Sequence, residues 1–523
     1  MKLLSLRTIL MGTALCSPTF GLAQEVTLKS PDGALSLTGE LIEYQDNVYV
    51  LQSDLGAIRV GSERVECFGE ACPAVEVLDQ EVTFSGSDTV GDGLVPLLLA
   101  GYAADKDAEL LTTETISGIE TNVQFIENSG FGDLSDVFRV RSTVSSDAFS
   151  NLLGKSAEVG LSSRRIKVEE ARALKAAGSG SMVKPSNEHI LANDSIVIVN
   201  NPSNPVKSLT TDQLARIYSG DISNWKEVGG NDAPIRAVHL SSGSGTRSVF
   251  ETRILEDRPG KPINVVSASG NVDVSRQIEA DENAIGYLSL AFQRGTQGVT
   301  LINDCGIPME PNEFSAKTGE YMLQRPLYFY TRDDTITDKA MDFLTWAKSG
   351  AADNTIAKSG FIDLGVDRLA QGPTSPRASS LQNAELDTYE VSYAKDLVAT
   401  MSGFDRLSTT FRFATGSNRL TPQSKESLGR FINYLAEQPE GEYLLVGFTD
   451  DSGPFDPNLA LSEERAEFMI GEIQAMGEGR LDHINFSAKG FGELLPVACN
   501  SSEESRKKNR RIEVWTTASN PNG

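Results

Sequence analysis

The stretch "HLSSGSGTRSVFE", His239 to Glu251, crowds serine, threonine and glycine ahead of an apolar pair, Val249 and Phe250, that can open a helix. Three chemistries compete for such a loop. A nucleotide phosphate loop needs a lysine at a fixed place after its glycines, and none stands there. A hydrolase elbow needs G-x-S-x-G, whereas Gly243-Ser244-Gly245 lacks that frame, and His189, His239 and His483 offer Ser244 no evident base. The third is an anion cradle, in which unpaired amides at a helix start, helped by the hydroxyls of Ser244 and Thr246, hold an oxyanion without net positive charge. A serine loop that merely caps its helix accounts for the same six residues. The surrounding chain must decide.

Composition narrows the field. The chain has 523 residues, 39% hydrophobic and 23% charged, which suits two or three globular domains. Its net charge of -25, from 72 acidic against 47 basic residues, argues against nucleic acid, so any anion site must be made locally. The start, "MKLLSLRTILMGTALCSPTFGLAQ", places Lys2 and Arg7 before an apolar run and ends it with Gly21-Leu22-Ala23. That pattern predicts a secretory signal over residues 1–23, cut before Gln24. Leu15 stands where a lipoprotein signal wants a small residue before Cys16, so lipidation is not expected. No other stretch is apolar for long enough to span a bilayer, and the mature chain is expected to be exported and soluble.

Outside the signal, Cys67 and Cys72 in "CFGEAC" could staple a hairpin in an oxidising compartment, or stay as buried thiols. Cys305 and Cys499 are too far apart in sequence for a pairing to be assigned. Residues 24–78 alternate apolar and polar positions between turn residues, as in a small meander of strands, and carry no legible binding motif. Over 79–368 strands alternate with helices, which implies an α/β fold with both sheet faces covered. Thr210 and Gln213 are spaced as a capping box. In "AQGPTSPRASSLQN" the apolar periodicity stops, so 369–388 read as a flexible linker. Beyond it, over 389–523, Thr421 and Pro422 begin a helix. Ala466, Met469, Ile470 and Ile473 share one face of another, between strands "EYLLVGFTD" and "RRIEVWTT".

The segment "NDSIVIVNNPSNPVKSLTTDQLARIYSGDISNWKEVGGNDAPIRAVHLSSGSGTRSVFE", with "SASGNVDVSRQIEADENAIGYLSLAFQ", resembles the phosphate-binding periplasmic receptors of ABC transporters, over about Glu81 to Asp367. The resemblance implies a type II periplasmic-binding-protein-like fold whose two α/β lobes close over a dehydrated oxyanion. It implies ligand contacts from Thr89 and Val90, from Ser244, Gly245 and Thr246, from Ser145 or Ser146 in "VSSDAF", and from Ser163 and Arg164 in "GLSSRRI". Two departures stand out. The family's arginine four residues before the serine of the S-G-T triplet is Leu240 here, which cannot supply a bidentate charged pair; Arg247 or Arg164 are the candidates to compensate. The aspartate that accepts the proton of a protonated phosphate is absent from "SSRR", with Asp88 and Asp147 nearby in sequence.

"GFTDDSGPFDPNLALSEERAEF" and "AKGFGELLPVACNSSEESRKKNRRIEVW" resemble the peptidoglycan-binding domain shared with outer-membrane protein A, over about Leu407 to Thr517. The resemblance implies that Asp450 takes the ammonium and Arg465 the carboxylate of the diaminopimelate stem. Thr449 and Asn458 would shape the loop. Asn509 and Arg510 would either touch the ligand or anchor the last strand. Alternation in "RRIEVW" puts one of Arg510 and Arg511 on a solvated face.

The expected molecule is therefore a multi-domain α/β protein: a small N-terminal β domain, a two-lobed receptor, and a C-terminal α+β domain. It would be a non-enzymatic periplasmic receptor for phosphate or a similar oxyanion, anchored to peptidoglycan near a Gram-negative outer membrane, with an ABC permease as a further partner. No cofactor, metal or nucleic acid is expected. Leu240 favours the alternative, an envelope protein whose lobes have lost the ligand and mediate protein contacts. A hydrolase using Ser244 lacks a base.

Overall fold

Strict alternation along short segments builds the N-terminal sheet. In a computed structural model, β1 (Glu25–Lys29), β2 (Ser36–Gln45), β3 (Val48–Ser53), β4 (Gly56–Gly61) and β5 (Glu66–Phe68) pair antiparallel in the order β4-β3-β2-β1-β5. Every second side chain (Val26, Leu28, Tyr49, Leu51) turns into one small core, as a period of two requires. Cys67 and Cys72 form a disulfide there. The structure describes residues 25–517 apart from 31–35, 46–47, 54–55, 62–64, 70, 73–80, 116–118, 129–133, 256–264, 383, 385, 414–419 and 421. The signal segment and Thr421 lie outside the described residues. Residues up to 80 with 125–136 make one compact unit, and 81–124 with 137–523 the other.

The middle of the chain runs through β6 (Glu81–Ser87), α1 (Asp88–Gly91), α2 (Val95–Asp105), β7 (Ala108–Glu114), β8 (Glu120–Glu127), β9 (Leu134–Thr143), α3 (Ser145–Leu153), β10 (Val159–Ser162) and α4 (Val168–Ala176). It continues with β11 (Glu188–Asn200), β12 (Ser208–Thr210), α5 (Thr211–Ser219), β13 (Arg236–Leu240), α6 (Gly245–Ile254), β14 (Val265–Ala268), α7 (Asn271–Ala280) and β15 (Ala284–Ser289). It closes with β16 (Gln297–Ile302), β17 (Pro308–Met309), α8 (Glu313–Lys317), β18 (Gln324–Thr331), α9 (Asp338–Ala347) and α10 (Asp353–Lys358). The sheet order includes β14-β13-β15-β11-β18-β10-β6-β9. The long strand β11 joins two lobes: its first half pairs with β18 and its second with β15, with a bulge between Ile190 and Ala192. The expected capping box is present at α5, where Thr210 accepts from Gln213 N.

The last part comprises β19 (Arg368–Ala370), α11 (Pro376–Gln382), α12 (Thr388–Gly403), β20 (Phe404–Arg412), α13 (Pro422–Glu437), β21 (Gly441–Phe448), α14 (Phe455–Gly477), β22 (Ile484–Gly490), α15 (Glu503–Asn509) and β23 (Arg511–Thr517), with sheet order β19-β20-β23-β21-β22. Strand "GEYLLVGF" is buried on both faces, so the sheet needs two helical layers. Leu445 packs with Leu428 and Phe431 of α13 and Ala466, Met469 and Ile473 of α14. Leu444 and Val446 pack with Ala378 and Leu381 of α11 and Leu397 and Met401 of α12.

This corrects the flexible-linker expectation for 369–388. That segment supplies the edge strand β19, paired with β20, and helix α11, whose Arg377 reaches the buried Glu513 at 2.7 Å. Glu513 also pairs with Arg406 at 2.9 Å and Arg511 at 2.8 Å. Burial pushes its carboxyl up, but three guanidiniums more than offset this and hold it below the usual carboxylate range. The middle and C-terminal domains also share a covalent seam: Cys305 and Cys499, left unpaired on sequence separation, form a disulfide. Separation of 194 positions says nothing about distance once a second domain packs against the turn before β17. Arg253 with Glu504 at 2.9 Å, Arg412 Nη2 donating to Thr318 O at 2.7 Å, and the Arg406–Glu320 ion pair extend the seam. Among the described residues no helix is long and apolar enough to cross a membrane.

Candidate functional site

Four strand-to-helix turns from the two lobes converge on one point. Ser87 ends β6, and Thr89 lies in α1; Ser145 opens α3; Ser163 follows β10; Gly245 and Thr246 begin α6. The buried hydroxyls form two adjoining groups. Ser87 Oγ donates to Ser163 Oγ at 3.0 Å, Ser163 N donates to Ser145 Oγ at 3.1 Å, and Ser145 and Ser163 hydroxyls are 3.2 Å apart. Thr89 and Thr246 hydroxyls meet across the lobes at 3.4 Å. Gly245 is wedged among them, so close that a Cβ there would lie 2.3 Å from Ser145 Oγ and 2.4 Å from Ser163 Oγ. Only glycine lets the α6 backbone approach so closely.

The remaining candidates divide. Val90 is buried beside Thr89, and Ser146 N donates to Gly243 O at 3.3 Å. Ser244 caps α6, its hydroxyl accepting from Arg247 N at 3.3 Å, so it organises the turn that presents Gly245 and Thr246. Neither arginine candidate reaches the two groups of buried hydroxyls. Arg164 is held bidentately by Glu170 at 2.8 and 2.6 Å, and Arg247 binds Glu251 at 2.8 Å and the Leu240 carbonyl at 2.9 Å. His239 shares a hydrogen bond with Tyr287 Oη at 2.8 Å, and burial holds its ring down at about 4.

Three residues beside the buried hydroxyls were not read from the sequence as contacts. Arg325 of β18, 2% exposed, places Nη1 on Ser163 O at 3.1 Å while Nε and Nη2 grip Asp194 at 3.0 and 2.8 Å. Asn271, the first residue of α7, donates to Thr89 Oγ1 at 2.9 Å and to Asp88 Oδ2 at 3.1 Å. The Asp88 carboxylate also accepts from Asn271 N at 3.2 Å, so it faces the opposing lobe; burial pushes its pKa up. A charged residue inside the apolar run "RPLYFYT" and the Ser-Gly-Asn turn before α7 were the available signals.

The C-terminal candidates form a second constellation. Asp450, after β21, takes Arg510 Nη1 at 2.5 Å and Ser452 N at 3.0 Å. Burial raises its carboxyl, but the Arg510 and Ser452 bonds outweigh this and hold it below the usual range. Arg465 of α14 lies over the Phe413 ring at 5.6 Å, with its buried Nε unpartnered; burial and the like charge of Arg510 lower its pKa. Asp450 and Arg465 are thus not paired with each other: Asp450 is paired with Arg510 instead. Asn458 reaches Asp450 O at 3.4 Å and Glu493 Oε2 at 2.6 Å, and Thr449 is buried with its hydroxyl unpartnered. Asn509 is consumed internally, accepting from Val497 N and Ala498 N and donating to Ala498 O and Asn500 Oδ1. Contrary to simple alternation, neither Arg510 nor Arg511 is solvated: Arg510 caps α15 against Asp450, and Arg511 stacks on Phe448 at 4.1 Å.

Comparison with known proteins assigns a family to each of the two domains that carry these residues. Residues 76–350 match the PBP superfamily domain. The chain belongs to that superfamily. Residues 412–510 match the OmpA family, so a C-terminal OmpA domain follows the PBP domain. The chain is 32% identical over 179 residues to the phosphate-binding protein PstS of Bacillus subtilis, covering 34% of this chain and 58% of that relative. It is 28% identical over 297 residues to PstS of Pseudomonas aeruginosa, covering 51% of this chain and 90% of the relative. Among solved structures, an ABC-type phosphate transport receptor from Vibrio cholerae aligns with a TM-score of 0.39 at 23% identity, over 54% of this chain and 99% of its own.

Proposed function

We propose that the PBP domain binds phosphate or a closely related oxyanion, and that the OmpA domain holds diaminopimelate peptidoglycan. The protein acts without catalysis in the periplasm, at the wall beneath a Gram-negative outer membrane, with an ABC permease as the receiver of the captured ion. The observation that carries this reading is Gly245 pressed against the hydroxyls of Ser145 and Ser163, which brings the start of α6 in one lobe onto the serines of the other. The start of α6 supplies amide donors, the hydroxyls supply O–H donors, and Arg325, itself gripped by Asp194, lies behind Ser163. The Asp88 carboxylate is the acceptor for the proton that hydrogen phosphate carries and sulfate lacks. At the wall, Asp450 takes the ammonium of the stem and Arg465 its carboxylate.

One experiment addresses both halves. Full-length protein is pelleted with purified diaminopimelate sacculi in radiolabelled phosphate. The pellet is expected to hold the protein and label in proportion to it. Protein left in the supernatant overturns the wall reading, and protein pelleted without label overturns the phosphate reading. The second reading, lobes that have lost their ligand, is favoured by Leu240, an apolar side chain buried at the end of β13.

A further inference from the structure

Near the Asp450 loop the ring of Tyr389 sits at the surface, while Tyr393 and Phe455 beneath it are half-buried against the core. Tyr389 and Tyr393 lie on successive turns of α12, and Phe455 opens α14. Ring centroids are 5.3 Å apart for Tyr389 and Tyr393, 6.1 Å for Tyr389 and Phe455, and 5.4 Å for Tyr393 and Phe455. Tyr389 is 50% exposed, although a ring of that size normally withdraws from water. Its hydroxyl donates to the exposed Asp456 carboxylate at 2.8 Å and lies 3.2 Å from Tyr393 Oη. The cluster adjoins the Asp450 loop: Phe455 stands three residues before Asn458, about 4.5 Å along the helix axis, and Asn458 donates to Asp450 O. Glu390 and Asp451 act on Glu493, the other partner of Asn458, so carboxylates fringe the rings.

We propose that the exposed ring of Tyr389, held edge-to-face by Tyr393 and Phe455 behind it, is a stacking face for a sugar ring of the glycan strand, with Asp456 accepting from its hydroxyls. The inference rests on the wall-binding reading above. A pyranose presents an apolar C–H face bordered by hydroxyls, which is the complement of an exposed aromatic ring bordered by carboxylates. The acidic fringe disfavours an anionic lipid surface or an acidic peptide. The occupant must also be joined to the stem peptide, and the sugars are: the carboxyl of muramic acid is spent in the amide to the stem, which leaves that sugar uncharged.

The test compares two soluble ligands on the full-length protein by calorimetric titration: the diaminopimelate stem tetrapeptide, and the same peptide carrying its N-acetylglucosamine–N-acetylmuramic acid disaccharide. Aromatic contacts of this kind imply that the disaccharide tightens binding about three- to tenfold. Tyr389→Ala, at a half-exposed position, should erase that gain and leave stem affinity as it was, while Tyr389→Phe should keep most of it. Equal affinity for both ligands in the unmodified protein, or equal weakening of both in Tyr389→Ala, overturns the glycan face alone. Failure of both ligands to bind overturns the wall reading, and the glycan face with it.

Discussion

At the scale of single residues, Gly245 is the position where sequence, backbone and proposed chemistry meet. Gly245→Ala puts a methyl 2.3 Å from Ser145 Oγ, so it should abolish the phosphate-induced rise in melting temperature. An unchanged rise would show that the ligand sits elsewhere. Asp88→Asn should narrow the preference for phosphate over sulfate by removing the acceptor, checked by competition dialysis with the two anions. The buried histidines set a pH response. Burial lowers both His189 and His239 to about 4, against 6.5 for an exposed ring. The unfolded chain therefore binds more protons between those values, and the stability these uncharged rings contribute is full above pH 6.5 and lost as pH falls toward 4. Urea midpoints across that window should drop steadily with acid. His239→Phe should flatten part of the slope.

The candidate residues were legible to the degree that local backbone dictates them. S-G-T at a helix start and T-D before a long helix are short-range patterns, and the structure brings Ser163, Gly245 and Thr246 together as it does Asp450 and Asn458. Charged side chains were harder. Arg164 and Arg247 stand at suitable positions but are captured by Glu170 and Glu251, and the arginine at the buried serines, Arg325, comes from a strand 162 positions after Ser163. A guanidinium's destination depends on the tertiary arrangement of acids around it, which spacing does not encode.

At the scale of elements, the lesson is the segment after β18. Pro, Gly and Ser between residues 370 and 383 read as a linker because only Ala378 and Leu381 are apolar anchors on α11, too few for a periodic signal. The need for a second helical layer over "GEYLLVGF" is visible only when that strand is seen to be buried on both faces. Leu381→Ala should therefore cost about 2–5 kcal/mol, as for other buried leucines, in a urea titration of the full chain. A cost within about 0.5 kcal/mol, as at an ordinary surface site, would restore the linker description. Elsewhere the periodicities served well: Ala466, Met469 and Ile473 are buried on α14, and the N-terminal strands alternate as their sequence does.

At the scale of the whole molecule, the PBP and OmpA domains are fastened rather than strung together. The disulfide between Cys305 and Cys499 closes a loop of 194 positions, which in a chain-entropy description stabilises the folded state by about 5 kcal/mol. Replacing both cysteines by serine should lower the melting temperature by several degrees, and a reductant should lower that of the unmodified protein by more than that of the double variant, in which only Cys67–Cys72 is left to reduce. No change in either would mean that the Arg253, Arg406 and Arg412 contacts suffice for the seam. A PBP domain fixed in this way stays wherever the OmpA domain is held. The central claim is that the site at the buried hydroxyls of the two lobes still takes phosphate although Leu240 replaces an arginine. Titration calorimetry of the full-length protein with phosphate tests it most directly: saturable binding of one ion per chain, lost in Thr246→Val and not competed by sulfate, is the predicted result, and a flat trace at millimolar phosphate would contradict it.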